Sequence, residues 1–301
     1  MARRRIEAAP IRLLRLKPRT MVHFPPAKLN LGLFVTGRRP DGFHDLESVF
    51  VAIDWTDVLE VHAVEGRGTL ELTYSGLAIP GGEPGSNLVE RAHRALVEAG
   101  HDLPGVRVRL HKVLPMGAGL GGGSADGTWM LRALDQLAGL GLGAEGLREH
   151  AAALGSDCPF FLEDGPAFVS GRGERIEPLS GGASWKGWSV AVVHPGVHVS
   201  TREAFGRLEV APPPFNLRRL PDTPVERWHA EGVGNSFTQG VAALVPEVAE
   251  ALAHVAEGAT YTQLTGTGSA VFGMYASHEQ AMRVADRATL RGWTAWSGVL
   301  S

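Results

Sequence analysis

Pro115-Met116-Gly117-Ala118-Gly119-Leu120-Gly121-Gly122-Gly123-Ser124 separates two segments of different periodicity. Before it, Val106, Val108 and Leu110 alternate with Arg107 and Arg109, as in a strand. After it, Ser124 to Leu137 brings Met130, Ala133, Leu134 and Leu137 to one helical face. A glycine-rich strand-to-helix loop lets successive backbone N–H groups turn toward one anion. The unpaired N–H groups and the dipole at the helix start add to that attraction. A polyphosphate suits such a loop. A turn with no ligand would carry the backbone-entropy cost of its glycines with no compensating contact.

No Lys-Ser or Lys-Thr pair follows the last glycine, which removes a Walker A loop. Gly117, Gly119 and Gly122 do satisfy G-x-G-x-x-G, the dinucleotide fingerprint. The context does not fit it. A first Rossmann strand is buried on both faces and reads continuously apolar, whereas Val106 to Leu110 is interrupted by two arginines. The acid expected about 20 residues further on would be Asp135, which falls inside the helix instead of ending a second strand.

Upstream, Leu29, Leu31, Leu33 and Val35 alternate with Lys28, Asn30, Gly32 and Phe34, which predicts a strand with Lys28 and Asn30 on one face. The turn Arg39-Pro40-Asp41-Gly42 leads to a return strand near Ser48 to Ile53. Further strands are expected at Val58 to Val61 and Leu70 to Thr73, so the N-terminal part begins as antiparallel sheet. Helices are predicted over Leu88 to Glu98, opened by Asn87, and over Gly146 to Leu154. Past Gly171 to Gly173 the order resets: a strand at Ser189 to Val193, helices near Val241 to Ala256 and Glu279 to Leu290, and between them a Thr-Gly loop entering the apolar segment Ala270 to Tyr275. The pattern is α+β in two domains, 21–172 and 173–301, after a basic leader, 1–20.

That leader sets Arg3, Arg4, Arg5, Arg12, Arg15, Lys17 and Arg19 against the single acid Glu7 and reads as a disordered tail. It also resembles an organellar transit peptide, with Met21 as an alternative start. The whole chain of 301 residues has a formal charge of -3, which gives no global reason to bind nucleic acid or anionic lipid. No apolar run is long enough for a membrane span, and the single cysteine, Cys158, excludes an internal disulfide. A cytoplasmic protein, monomeric or weakly dimeric, is expected.

Three separated segments, Pro26-Ala27-Lys28-Leu29-Asn30-Leu31, Pro115 through Ala125, and Leu264-Thr265-Gly266-Thr267-Gly268-Ser269-Ala270, resemble the three motifs of the GHMP kinases, in order. Asp41-Gly42-Phe43-His44, Gly155 to Phe161 and His194-Pro195-Gly196-Val197 are similar to the branch acting on cytidine-diphosphate-linked methylerythritol in non-mevalonate isoprenoid synthesis. The resemblance spans Met21 to the C-terminus. It implies a GHMP kinase fold: an N-terminal ATP-binding domain with a left-handed β-α-β unit, and a ferredoxin-like C-terminal substrate-binding domain. ATP with Mg2+ is the implied cosubstrate, and the C2 hydroxyl of the cytidylyl compound the implied acceptor.

The resemblance also implies roles. Asp157 takes the hydroxyl proton, and Lys28 lowers the effective pKa of that hydroxyl and offsets γ-phosphate charge. Pro115 to Ser124, Asn87 and Lys112 hold ATP. Asn30, Phe43, His44 and Phe205 meet the substrate, the phenylalanines stacking on cytosine and His44 reading its polar edge. Thr265, Gly266, Thr267 and Gly268 close the site near the phosphates. Alone, Asp157 reads as a turn aspartate, Lys28 as a solvated strand lysine, Asn30 as a structural amide, Asn87 as a helix cap and Lys112 as a surface charge.

Two departures from the family pattern stand out. Gly127-Thr128 replaces two alanines after Ser124-Ala125-Asp126, and Asn235-Ser236-Phe237 stands where an Asn-Asp pair is usual. His194 and His198 are four apart, but Pro195-Gly196 between them forbids a helical metal pair, and no metal site is assigned to the protein. Other GHMP kinases, acting on homoserine, mevalonate or galactose, and a nucleotide-binding regulator without catalysis remain alternative readings; Phe43, His44 and Phe205 separate the first of these, Lys28 with Asp157 the second.

Overall fold

Strand β1 (Thr20–His23) pairs antiparallel with β4 (Val58–Arg67) and carries Met21 into the core. The computed structural model describes residues 20–78, 85–179, 183–206, 208 and 210–301, so the leader lies outside it except for Thr20. Between β1 and β4, β2 (Pro26–Arg38) and β3 (His44–Thr56) form a long antiparallel hairpin. Its turn is fastened by the Asp41 carboxylate, which accepts the Phe43 N–H at 3.1 Å.

Strand β2 is buried from Ala27 to Val35, but its faces do not alternate as predicted. The register slips between Asn30 and Gly32. Ala27, Leu29 and Leu31 therefore share a core with Phe34, whereas Leu33 and Val35 point into another. An extra residue in one strand reverses the parity of everything after it. Lys28 and Asn30 precede the bulge and do share a face.

Strand β5 (Leu70–Gly76) runs parallel to β6 (Pro104–Lys112), a correction to the antiparallel expectation. A parallel pair needs a crossover, and α1 (Leu88–Glu98) supplies it, its Asn87 side chain accepting the Val89 N–H at 2.8 Å. The resulting sheet has the order β1-β4-β6-β5. Helix α2 (Gly122–Ala138) begins where the glycine loop ends, α3 (Gly143–Leu154) follows, and a short 3-10 turn covers Cys158–Leu162. The hairpin of β7 (Ala167–Gly171) and β8 (Arg175–Pro178) joins β3, giving the order β2-β3-β7-β8. Its turn sits on 172–173, so the hairpin holds residues through Pro178 with the N-terminal sheet.

Beyond it, β9 (Ser189–His194), β10 (Tyr261–Leu264), β11 (Val271–Tyr275) and β12 (Thr294–Val299) form an antiparallel sheet in the order β10-β11-β9-β12. With helices after β9 and between β11 and β12, this is the ferredoxin-like order. The intervening helices are α4 (Thr201–Gly206), α5 (Trp228–Glu231), α6 (Thr238–Leu244), α7 (Pro246–Val255) and α8 (His278–Leu290). The single helix predicted over Val241 to Ala256 is thus two, because Pro246 pushes Val245 into extended backbone. Strand β9 explains the packing: Val190 and Val192 face the β2–β3 hairpin, while Ala191 and Val193 face α7 and α8. Among the described residues no helix is long and apolar enough to cross a membrane.

Candidate active site

The glycine loop is shaped by close approaches. Gly117, Gly119 and Gly121 all have positive φ, at 64°, 80° and 72°. A Cβ on Gly119 would fall 2.1 Å from the Thr265 carbonyl oxygen, so only glycine lets the second and third family motifs touch. A Cβ on Gly121 would press on the Lys28 side chain and the Phe161 ring, both at 3.0 Å, and one on Gly117 would lie 2.9 Å from His198 Nδ1. Space around Gly123 is open. Helix α2 has no side-chain cap and no acid in its first turn, which leaves its N-terminal N–H groups for an anion. Ala118 and Leu120 turn their side chains into the core beside Leu114 and Phe168, so these two residues offer a ligand only their backbone.

Lys28 is buried beside the loop, its backbone N–H donating to the Leu120 carbonyl at 2.8 Å. Its Nζ donates to Asn30 Oδ1 at 2.6 Å, sits 4.6 Å from the centre of the Phe50 ring and stands 3.7 Å from Asp157 Oδ2. Burial holds the Lys28 ammonium below the ordinary lysine range, and the Asp157 carboxylate only partly offsets it. The Asp157 side chain is 33% exposed, so this carboxylate can be reached from solvent while its lysine cannot.

Asn30 is fully buried. Its Oδ1 accepts from Lys28, from the Thr265 hydroxyl at 3.1 Å and from the Gly266 N–H at 2.8 Å, and its Nδ2 donates to Ser48 Oγ at 2.9 Å. This corrects the expectation that Asn30 meets substrate: no surface remains for it, and its amide orients Lys28 and ties the Thr-Gly loop to β2. Thr265 is likewise engaged inward, its hydroxyl also directed at the Gly119 carbonyl, 3.2 Å away. Thr267 stays partly exposed, 3.3 Å from Thr201 Oγ1. The segment from Thr265 to Gly268 therefore lies against the glycine loop through backbone and buried hydroxyl contacts.

Lys112 also departs from expectation. It is buried between Asp57, with which its Nζ makes a short hydrogen bond, and Asp126, at 2.7 Å. Asp57 Oδ1 further accepts the N–H groups of Val113 and Leu114, at 2.6 and 2.9 Å. Lys112 thus directs its charge at two carboxylates below the loop and pins the end of β6 to the first turns of α2. Burial works against the ammonium, but the two acids outweigh it and hold it above its ordinary value. Asp126 is pushed up to about 7, chiefly by burial, with Asp57 adding to the rise and Lys112 opposing it. Asn87 caps α1, the plainer of its two readings.

On the other side of Asp157 a groove of about 820 Å3 is lined by Phe43, His44, Phe205 and Arg172, among others. Phe43 is 54% exposed, with the Arg172 guanidinium 4.9 Å from its ring centre. His44 stacks directly on Phe205, ring centres 4.6 Å apart, and Phe237 meets Phe205 edge-on at 4.8 Å. The expected aromatic pair therefore does not present two free faces: His44 already covers Phe205, and Phe43 is the ring that offers surface. Asp57, Asp126, Arg172 and His198 escaped the sequence analysis as site neighbours. Only the position of Asp126, directly after the second motif, gave a signal there.

Residues 87–169 match the family model described as the GHMP kinases N terminal domain. The 4-diphosphocytidyl-2-C-methyl-D-erythritol kinase of Bacteroides fragilis is 40% identical over 266 residues, covering 88% of this chain and 95% of that protein. A crystal structure of 4-(cytidine 5'-diphospho)-2C-methyl-D-erythritol kinase matches with a TM-score of 0.76 at 34% identity, over 93% of this chain and 99% of that one. Homoserine kinase from Cytophaga hutchinsonii shares the fold, with a TM-score of 0.69 at 16% identity over 96% of each chain.

Proposed function

The chain belongs to the 4-diphosphocytidyl-2-C-methyl-D-erythritol kinases of the GHMP kinase family, and on that premise we propose that it transfers the γ-phosphoryl group of ATP to the C2 hydroxyl of 4-diphosphocytidyl-2-C-methyl-D-erythritol. The observation that carries this reading is the buried Lys28 ammonium 3.7 Å from the part-exposed Asp157, beside Gly121 of the glycine loop. Phosphoryl transfer needs positioned phosphates, neutralised charge and an acceptor for the hydroxyl proton. The loop and the uncapped start of α2 hold the phosphates. Asp157 receives the proton as the new O–P bond forms, the bond to the β-phosphate oxygen breaks and ADP leaves. Lys28, held by Asn30, fixes Asp157 in place and faces the charge that develops on the transferred group. Phe43 stacks on cytosine, and His44 reads its polar edge once it parts from Phe205.

Ser124 and the exposed edge of Asp157 provide oxygen donors of the kind Mg2+ accepts, in keeping with an ion that arrives on ATP and takes few protein ligands. Bound there, Mg2+ would neutralise charge on the phosphates. The enzyme is proposed to act in the cytoplasm, as a monomer or weak homodimer. The deciding experiment is coupled-assay ADP release with Mg-ATP and, in turn, the cytidylyl substrate, homoserine, mevalonate and galactose. Turnover with the cytidylyl substrate alone is expected. Activity with one of the others would discard the roles of Phe43 and His44, and silence with all four in protein that binds ATP would point to a regulator.

A further inference from the structure

The groove contains a cation to which the proposed reaction gives no task, and the role assigned to it here rests on that reaction. Arg172 stands in the β7–β8 turn between Gly171 and Gly173, whose φ values are +71° and +113°. Its guanidinium reaches across to the Phe43 ring. In the other direction Gly173 packs against the proposed base, since a Cβ there would lie 3.4 Å from Asp157 Oδ1. The turn thus spans from the ring that receives the nucleobase to the carboxylate that receives the hydroxyl proton. Among the described residues no carboxylate lies within ion-pair distance of the Arg172 guanidinium; Asp41, which feels its charge, is held by Arg39 at 3.1 Å, and Glu174 accepts the Arg172 backbone N–H at 2.6 Å. Among the described residues that line the groove are Arg38, Arg172 and Arg202 and no acid.

A substrate that stacks cytosine on Phe43 and presents its hydroxyl to Asp157 must pass its diphosphate between them. We infer that Arg172 determines specificity at this point, its forked guanidinium taking the diphosphate bridge of the nucleotide-linked substrate. A planar five-donor fork matches phosphate oxygens better than a point charge does. Arg38 and Arg202 add a positive field along the groove. Because the same guanidinium rests on Phe43, capture of the diphosphate and stacking of the base reinforce each other.

The test compares wild type, Arg172→Gln and Arg172→Lys by calorimetric titration with CDP and with cytidine, and by turnover. Wild type is expected to bind CDP roughly tenfold more tightly than cytidine, as a solvent-exposed charge-assisted contact allows. Arg172→Gln should lose most of that ratio, with cytidine affinity within about twofold, and should raise KM for the cytidylyl substrate roughly tenfold while kcat and KM for ATP change little. Arg172→Lys should recover part of the CDP preference. An unchanged CDP-to-cytidine ratio in Arg172→Gln, an equal loss for both ligands, or a wild type with no preference for CDP would each overturn the assignment. If wild type prefers CDP through Arg172 yet fails to turn over the cytidylyl substrate, the assignment stands and the proposed reaction falls.

Discussion

Replacing Asp126 with asparagine should flatten the dependence of stability on pH. In the unfolded chain this carboxyl has its ordinary value of 3.8, and in the folded protein burial pushes it up to about 7. Between those values the folded state binds a proton that the unfolded state does not, so stability falls as pH rises through the window and levels off above it. Lys112 does not contribute there: its folded value is raised above 10.5, so its stabilisation is complete below that pH and is lost only beyond it. At ~1.4 kcal/mol per pH unit, the window sets a ceiling of roughly 4 kcal/mol. Asparagine keeps the size of the side chain and an acceptor for Lys112, and its amide can donate to Asp57. In thermal melts at about pH 5 to 8 and constant ionic strength, the wild-type midpoint should fall relative to Asp126→Asn by on the order of 5 °C. Parallel profiles, or an Asp126→Asn protein weakened equally at every pH, would show that Asp126 stays ionised throughout and would refute the reasoning.

Asp157→Asn is expected to keep ATP affinity, measured by calorimetry, and to lose about 10^2 to 10^4 in kcat, the scale of a positioned general base; near-normal turnover would remove Asp157 from proton transfer. Phe43→Ala should raise KM for the cytidylyl substrate and leave that for ATP nearly unchanged, whereas equal losses would indicate a folding defect. Gly119→Ala combines a positive φ of 80° with a Cβ placed 2.1 Å from the Thr265 oxygen, so ATP affinity should fall at least about tenfold, and wild-type affinity would mean that the two loops need not touch.

What could be read along the chain was local. Helix α1 was visible because Asn87 supplies a cap and Leu88 to Glu98 keeps one apolar face, and the bounds agree with the prediction. Lys28 and Asn30 could be placed on one face because they stand two positions apart, one strand period, with only Leu29 between them. The slip after Asn30 could not be seen, since a bulge is fixed by the register with β3 and not by composition. Asp57 lies 55 positions from Lys112, so nothing near either residue announces their pairing, and an isolated lysine looks solvated until its partners are known. Pro246 stands in the middle of the segment predicted as one helix, and the apolar periodicity on both sides hides the break it makes. The contact of His44 with Phe205 joins the β2–β3 turn to α4 and exists only once the two halves dock.

Asn30 and Thr265 are 235 positions apart, yet Lys28 is oriented through the amide that this contact completes. During synthesis, then, the ribosome must release nearly the whole chain before the lysine acquires its working geometry, although β6, the glycine loop and α2 emerge long before. A nascent or prematurely terminated chain carries the phosphate loop without the device that would make it a catalyst.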